Sequence, residues 1–124
     1  MAAGAEVILW VASQKQSRAF WREALAAEPV LDVPGMTAFD LGGVRLGLMP
    51  RADVAELLGR QVVGESGTAD SELYLLVEDV EAAYGRFVAA GAAPISPPSQ
   101  RTWGDVAGYV REPDGHVVAV ASRA

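Results

Sequence analysis

The chain contains no cysteine, which excludes disulfides, thiolate metal sites, iron–sulfur clusters and cysteine nucleophiles. A reducing cytosol permits that composition, and a cytoplasmic protein is expected. There is one histidine, His116, so a Ser-His-Asp or Cys-His arrangement would rest on that residue alone. Basic residues are few: ten Lys and Arg against sixteen Asp and Glu give 10 − 16 = −6. No Lys/Arg cluster stands out to neutralise a phosphate backbone, so nucleic acid is not an expected partner. An acidic surface instead favours solubility and attracts cationic ligands. Long hydrophobic runs are also missing. Val7 to Ala12 is too short for a membrane span or a signal peptide and no positive segment precedes it, so no membrane association is expected.

What is present is enough for one domain. At 124 residues, with 51% apolar and 21% charged residues, the chain can bury a packed core but not two full domains.

Glu6 to Ala12 (EVILWVA) is a near-continuous apolar run of β formers and predicts a strand buried on both faces. Ser13 and Gln16 have capping-box spacing, and Phe20, Trp21, Ala24 and Leu25 recur at helical spacing until about Ala27, before Pro29. Extended pieces follow at Val30 to Val33, Met36 to Leu41 and Val44 to Met49, divided by Pro34-Gly35 and by a Gly42-Gly43 hairpin turn. Arg51 to Leu58 predicts two helical turns closed by Gly59, and Arg60 to Ser71 reads as linker. Glu72 to Val77 is again a strand. Asp79 then caps a helix striped by Val80, Ala83, Tyr84, Phe87 and Val88 and stopped by Gly91. A Pro-rich piece (APISPPSQ), an extended segment from Val106 to Arg111, the turn Glu112 to Gly115 and a strand from His116 to Ala121 complete the chain.

The two halves repeat. Val11 matches Val77 at an offset of 66, which also pairs Glu6 with Glu72 and Trp21 with Phe87. Gly42 to Met49 matches Asp114 to Ala121 at an offset of 72, the added residues fitting an insertion around PPSQRT. Each half reads β-α-β-β-β, which predicts a duplicated module.

The pair Phe20-Trp21, the step LLVEDVEAAY at Leu75 to Tyr84, Trp103-Gly104 and EPDGHVVAV at Glu112 to Val120 resemble, in order and spacing, the vicinal oxygen chelate superfamily. That superfamily includes glyoxalase I, extradiol dioxygenases and bleomycin-resistance proteins. The resemblance covers nearly the whole chain and implies an α+β fold. A single domain over 1–124 would hold two tandem βαβββ modules, about 5–50 and 72–122 with a linker at about 51–71, forming a curled mixed sheet around a cavity. It also implies a homodimer. In metal-dependent members the ligands come from the first and last strands of each module, and by position those places fall on Glu6, Gly47, Glu72 and Ala119. Two of the four have no donor, so the likeness is to the non-metal, bleomycin-resistance-like members, and neither metal nor cofactor is expected.

If Val7, Leu9 and Val11 pack under the helix, alternation sends Glu6, Ile8 and Trp10 to the other face, as it does Glu72, Tyr74 and Leu76 in the second module. The last strands add Arg45, Gly47 and Met49, and Val117, Ala119 and Ala121. Small residues at Gly47 and Ala119 leave space, while Trp10, Tyr74 and Trp103 offer flat apolar walls. The expected ligand-binding set is therefore Glu6, Trp10, Gly47, Glu72, Tyr74, Trp103 and Ala119, taking a flat, cationic small molecule. No catalytic residue is identified. Plain alternatives stand beside this one: glutamates solvated at strand starts, Trp10 and Tyr74 as core, and His116 as a surface residue at a turn. Met36, Met49 and Phe39 read as packing; Glu65, Asp70 and the Arg51/Asp53/Glu56 group read as solvated surface. Two enzymatic rivals remain. One is a glyoxalase-type metal-dependent lyase, isomerase or dioxygenase, and the other a cofactor-free enzyme with Glu6 or Glu72 as general base.

Overall fold

A computed structural model describes residues 4–64 and 71–123. These form two compact units, one of residues 4–22 and 26–64, the other of 23–25 and 71–123. Glu65 and Asp70 lie outside the described residues.

The first unit runs β1 (Glu6–Val11), α1 (Gln14–Leu25), β2 (Leu31–Val33), β3 (Met36–Asp40), β4 (Arg45–Pro50), α2 (Arg51–Leu58) and α3 (Arg60–Val63). Its sheet has the order β1-β4-β3-β2, with β1 parallel to β4 and the other neighbours antiparallel. The parallel pair needs a long crossover, which the intervening elements supply. The tight β3–β4 reversal needs two successive residues at positive φ, which glycine adopts without a Cβ penalty. Gly42 and Gly43 stand at φ 80° and 108°, and the Leu41 N–H donates to the Val44 carbonyl at 2.8 Å.

Helix α1 starts where expected, the Ser13 hydroxyl accepting from the Gln16 N–H at 3.2 Å. Its apolar stripe is real: Ser17, Phe20, Trp21 and Ala24 are all buried, with Phe20 and Trp21 edge to face at 5.3 Å. On the sheet, Val11, Thr37, Phe39, Leu46 and Leu48 form one sealed face. Gln14 ties the helix to that face by donating to the Thr37 hydroxyl at 2.9 Å and accepting from the Gly35 N–H at 3.0 Å.

Two expectations are corrected here. Strand β1 is not buried on both faces. It is the edge strand of its sheet, paired only with β4 there, and Val7 is 38% exposed. The apolar run records β propensity as much as burial. Nor is Arg60 to Ser71 without regular structure throughout, because α3 continues from α2 at Gly59. Arg51, expected in solvent, donates to the Val63 and Gly64 carbonyls at 2.9 and 2.8 Å. It thereby satisfies acceptors that the end of a helix leaves open.

The second unit repeats the plan with β5 (Glu72–Leu76), α4 (Val80–Ala90), β6 (Ala93–Gln100), β7 (Val106–Arg111) and β8 (Val117–Ser122). The order is β5-β8-β7-β6, β5 and β8 being parallel. Asp79 caps α4 by accepting from the Ala82 N–H at 3.1 Å, and Gly91 ends it in the left-handed conformation. The Pro-rich piece is the edge strand β6, where missing N–H groups are tolerated. Its pairing with β7 slips between Pro94 and Ser96 and again between Ser96 and Ser99.

Helix α4 lies close on β7. A Cβ on Gly108 would fall 2.7 Å from the Tyr84 ring and 3.0 Å from Pro98, so only glycine fits. Gly85, on the exposed face of α4, has nothing within 4 Å. Gly108→Ala should therefore cost about 1–3 kcal/mol by overpacking, whereas Gly85→Ala should gain about 0.5–1 kcal/mol from helix propensity. Urea unfolding of both variants measures the opposite signs, and equal effects would contradict this packing.

Candidate functional site

On the helix-free face of the first unit, Glu6, Ile8 and Trp10 of β1 share a side with Arg45, Gly47 and Met49 of β4, as strand pairing requires. The space expected beside Gly47 is filled. A Cβ there would come within 2.5 Å of Ile8 Cδ1 and 3.2 Å of Met36 Sδ, so the glycine serves to admit two apolar side chains. Glu6 is not a free carboxylate either, since Arg45 stands 3.7 Å away. Both side chains are about half exposed, so the pair is screened and adds little stability. Trp10 is half-buried.

In the second unit, Glu72, Tyr74 and Leu76 of β5 share the helix-free face with Val117, Ala119 and Ala121 of β8 and Ala107, Tyr109 and Arg111 of β7. Ala119 offers no opening. It is wholly buried, its cross-strand neighbours being Tyr74 on one side and Tyr109 on the other. Large side chains flanking a small one close over it.

Tyr74 organises what remains. Its hydroxyl donates to Asp105 Oδ2 at 2.7 Å and accepts from the Trp103 indole N–H at 2.9 Å. Asp105 is buried at 4% exposure, and its Oδ2 also meets Arg123 at 3.3 Å. The Tyr74 phenol is pushed above its ordinary value, first by burial; the Asp105 carboxylate that accepts its proton adds to this, and the Trp103 N–H opposes it. Trp103 itself is 57% exposed. An indole edge fixed by a hydrogen bond, with its ring in water, is a preorganised stacking surface.

Next to this group Arg101 lies over the Tyr109 ring, 5.1 Å from its centroid. It donates to the Ala107 carbonyl at 2.8 and 3.0 Å, to Ser96 Oγ at 2.9 Å and to the Pro97 carbonyl at 3.1 Å. These contacts bind the irregular strand β6 to β7, so Arg101 holds structure rather than a ligand. His116, at the other end of the sheet, is no free surface imidazole. Its Nδ1 and its backbone N–H meet Glu112 Oε1 at 2.7 and 2.8 Å, and Glu112 is 2% exposed with Oε2 unpartnered.

The structure brings Tyr74 and Trp103 into direct contact beside a carboxylate that sequence reasoning passed over. Asp105 directly follows Trp103-Gly104, and its burial depends on a Tyr74 contact thirty-one positions away. Arg123 was missed for the same reason. Glu72 stands exposed on the same face, two residues from Tyr74.

The four positions that would carry metal ligands do not fit a metal. Gly47 and Ala119 provide no donor and are packed over, Glu6 is engaged by Arg45, and among the described residues no three His, Cys, Asp or Glu side chains gather. Catalytic metals are held by three protein donors with an open position. Among the described residues no helix is long and apolar enough to cross a membrane.

Comparison with known proteins agrees with this architecture. No curated protein matches the chain. Among solved structures it is similar to a glyoxalase-related enzyme from Fulvimarina pelagi, with 24% identity and a TM-score of 0.85, covering 99% of this chain and 89% of that one. It is also similar to a glyoxalase/bleomycin resistance protein/dioxygenase family enzyme from Burkholderia phytofirmans PsJN, with 17% identity, a TM-score of 0.85 and coverage of 96% and 97%. A third, a glyoxalase/bleomycin resistance protein/dioxygenase from Nocardioides, has 20% identity, a TM-score of 0.79 and coverage of 99% and 84%. At these identities the likeness establishes the fold. The profile of the Glyoxalase/Bleomycin resistance protein/Dioxygenase superfamily matches residues 5–120, and the chain belongs to that superfamily.

Proposed function

We propose that the protein binds a flat, cationic small molecule stoichiometrically and without a metal, in the manner of bleomycin-resistance proteins, in a reducing cytoplasm. The observation that carries this reading is Trp103: a large exposed ring, held at its edge by Tyr74 and through it by buried Asp105. Ring faces attract cations. Glu72 supplies an exposed negative charge on the same face, and the net charge of −6 draws cations toward the protein. A second copy of the chain is part of the proposal. Exposed Leu57, Leu58 and Val62 are apolar surface of the first unit that a two-fold partner would cover.

Titration with the methyl ester of a carboxylated xanthylium dye, a planar cation, tests the site. Trp103→Ala should weaken binding roughly tenfold, about 1.4 kcal/mol, with Trp103→Phe in between and with added chelator making no difference. Unchanged binding in Trp103→Ala, or its loss with chelator, would overturn the reading.

Tyr74 gives a pH test. Its pKa is raised in the folded state, so the stability linked to the neutral phenol is complete below the unfolded value of about 10. It is lost as the pH rises through the folded value. The alkaline fall in unfolding free energy should be shallower in Tyr74→Phe, which at neutral pH should cost about 1–2 kcal/mol for the donor removed from Asp105. Identical alkaline slopes would mean that Tyr74 is not held in this way. For assembly, sedimentation at micromolar concentration should show a dimer; a species of 13.0 kDa alone would exclude it.

A further inference from the structure

We propose that the ligand is dipolar: beyond its flat cationic body it carries an anionic group, recognised by Arg123. The proposal rests on the reading of Trp103 as the stacking surface and adds the arrangement of charge along the same face.

Tyr74 divides that face in two. On one side, Glu72 stands two residues back along β5, about 7 Å from Tyr74, with its side chain exposed. On the other side lies Arg123, immediately beyond Ser122 at the end of β8. Its Nη1 is 3.3 Å from Asp105 Oδ2, and that oxygen is 2.7 Å from the Tyr74 hydroxyl. The guanidinium therefore lies within about 6 Å of the phenol oxygen, reached through the same carboxylate that holds the platform in place.

The two members of the Arg123–Asp105 pair face water very differently. Asp105 has a side-chain exposure of 6% and Arg123 of 69%. A ligand approaching Trp103 thus meets the arginine, not the carboxylate. Only Nη1 of Arg123 is engaged by Asp105. A guanidinium carries five N–H donors in a planar fork suited to a carboxylate or phosphate. The contact to Asp105 fixes the fork without exhausting it. Going along the face, a ligand would encounter an exposed carboxylate at Glu72, an aromatic stretch at Tyr74 and Trp103, and an exposed guanidinium at Arg123. A planar molecule with opposite charges at its two ends complements that sequence; a simple cation would bring its charge against Arg123.

The test compares the xanthylium methyl ester with its free acid, which has the same cationic ring system plus a carboxylate. Because the protein carries a net charge of −6, general electrostatic attraction favours the ester. Tighter binding of the zwitterionic acid would therefore come from a local contact. The acid should bind about tenfold more tightly than the ester, as expected for a charge-assisted, partly exposed contact. The ratio should fall toward one in Arg123→Gln and be largely kept in Arg123→Lys. Equal or weaker binding of the acid to the unaltered protein overturns the proposal, as does a ratio that survives Arg123→Gln. If both dyes bind equally while Trp103→Ala weakens both, the platform stands and only the dipolar ligand is wrong. If neither dye binds, both readings fall together.

Discussion

A carboxylate almost wholly removed from water has to be compensated by hydrogen-bond donors, because leaving it bare costs several kcal/mol. Asp105 is that carboxylate, and the geometry of the second unit's exposed face follows from meeting its demand. Tyr74 turns its hydroxyl toward Asp105 and so spends its only proton there. The same oxygen accepts from the Trp103 indole N–H, which sets the indole plane. Arg123 is drawn in by the charge. Three side chains from separate parts of the chain acquire fixed orientations because one acidic group lies beneath them.

The first unit has the same order of strands and, among the described residues, no buried carboxylate. Its helix-free face is closed around Gly47 by Ile8 and Met36, and a charge pair on that face, Glu6 with Arg45, is open to solvent. Duplication supplies two copies of a scaffold, and substitution then decides what each copy does. In one, the small residue on the last strand admits apolar packing; in the other, it lies between two tyrosines. Neither use depends on a metal ligand at that position.

Period and punctuation in the sequence were enough for the module plan. Alternation put Ile8 on the side of Gly47 and Tyr74 on the side of Ala119, as the strand registers require. Ser13, Asp79, Gly42-Gly43 and Gly91 marked ends and turns because their preferences are local. The site was legible only in part, since contacts between residues far apart in sequence leave no spacing to read. Trp103 and Tyr74 could be named as flat walls, but their direct hydrogen bond and the bond from Tyr74 to Asp105 need a strand pairing that no local pattern encodes. The openness expected beside Gly47 and Ala119 failed for a related reason: a missing side chain says nothing about which neighbour fills the gap. EPDG reads as a turn, and nothing local in it signals the burial of Glu112 against His116.

The edges of the two sheets are unequally guarded. Strand β2 has only three residues and β6 carries Pro94, Pro97 and Pro98 with two slips in its register, devices that keep a foreign strand from pairing there. Strands β1 and β5, at the opposite ends of their sheets, contain no proline and keep a regular register with their single partners. Backbone pairing with another chain therefore has one receptive end per sheet rather than two. Each sheet can thus take up a foreign strand beside β1 or beside β5 alone, and the chain as a whole keeps two such edges.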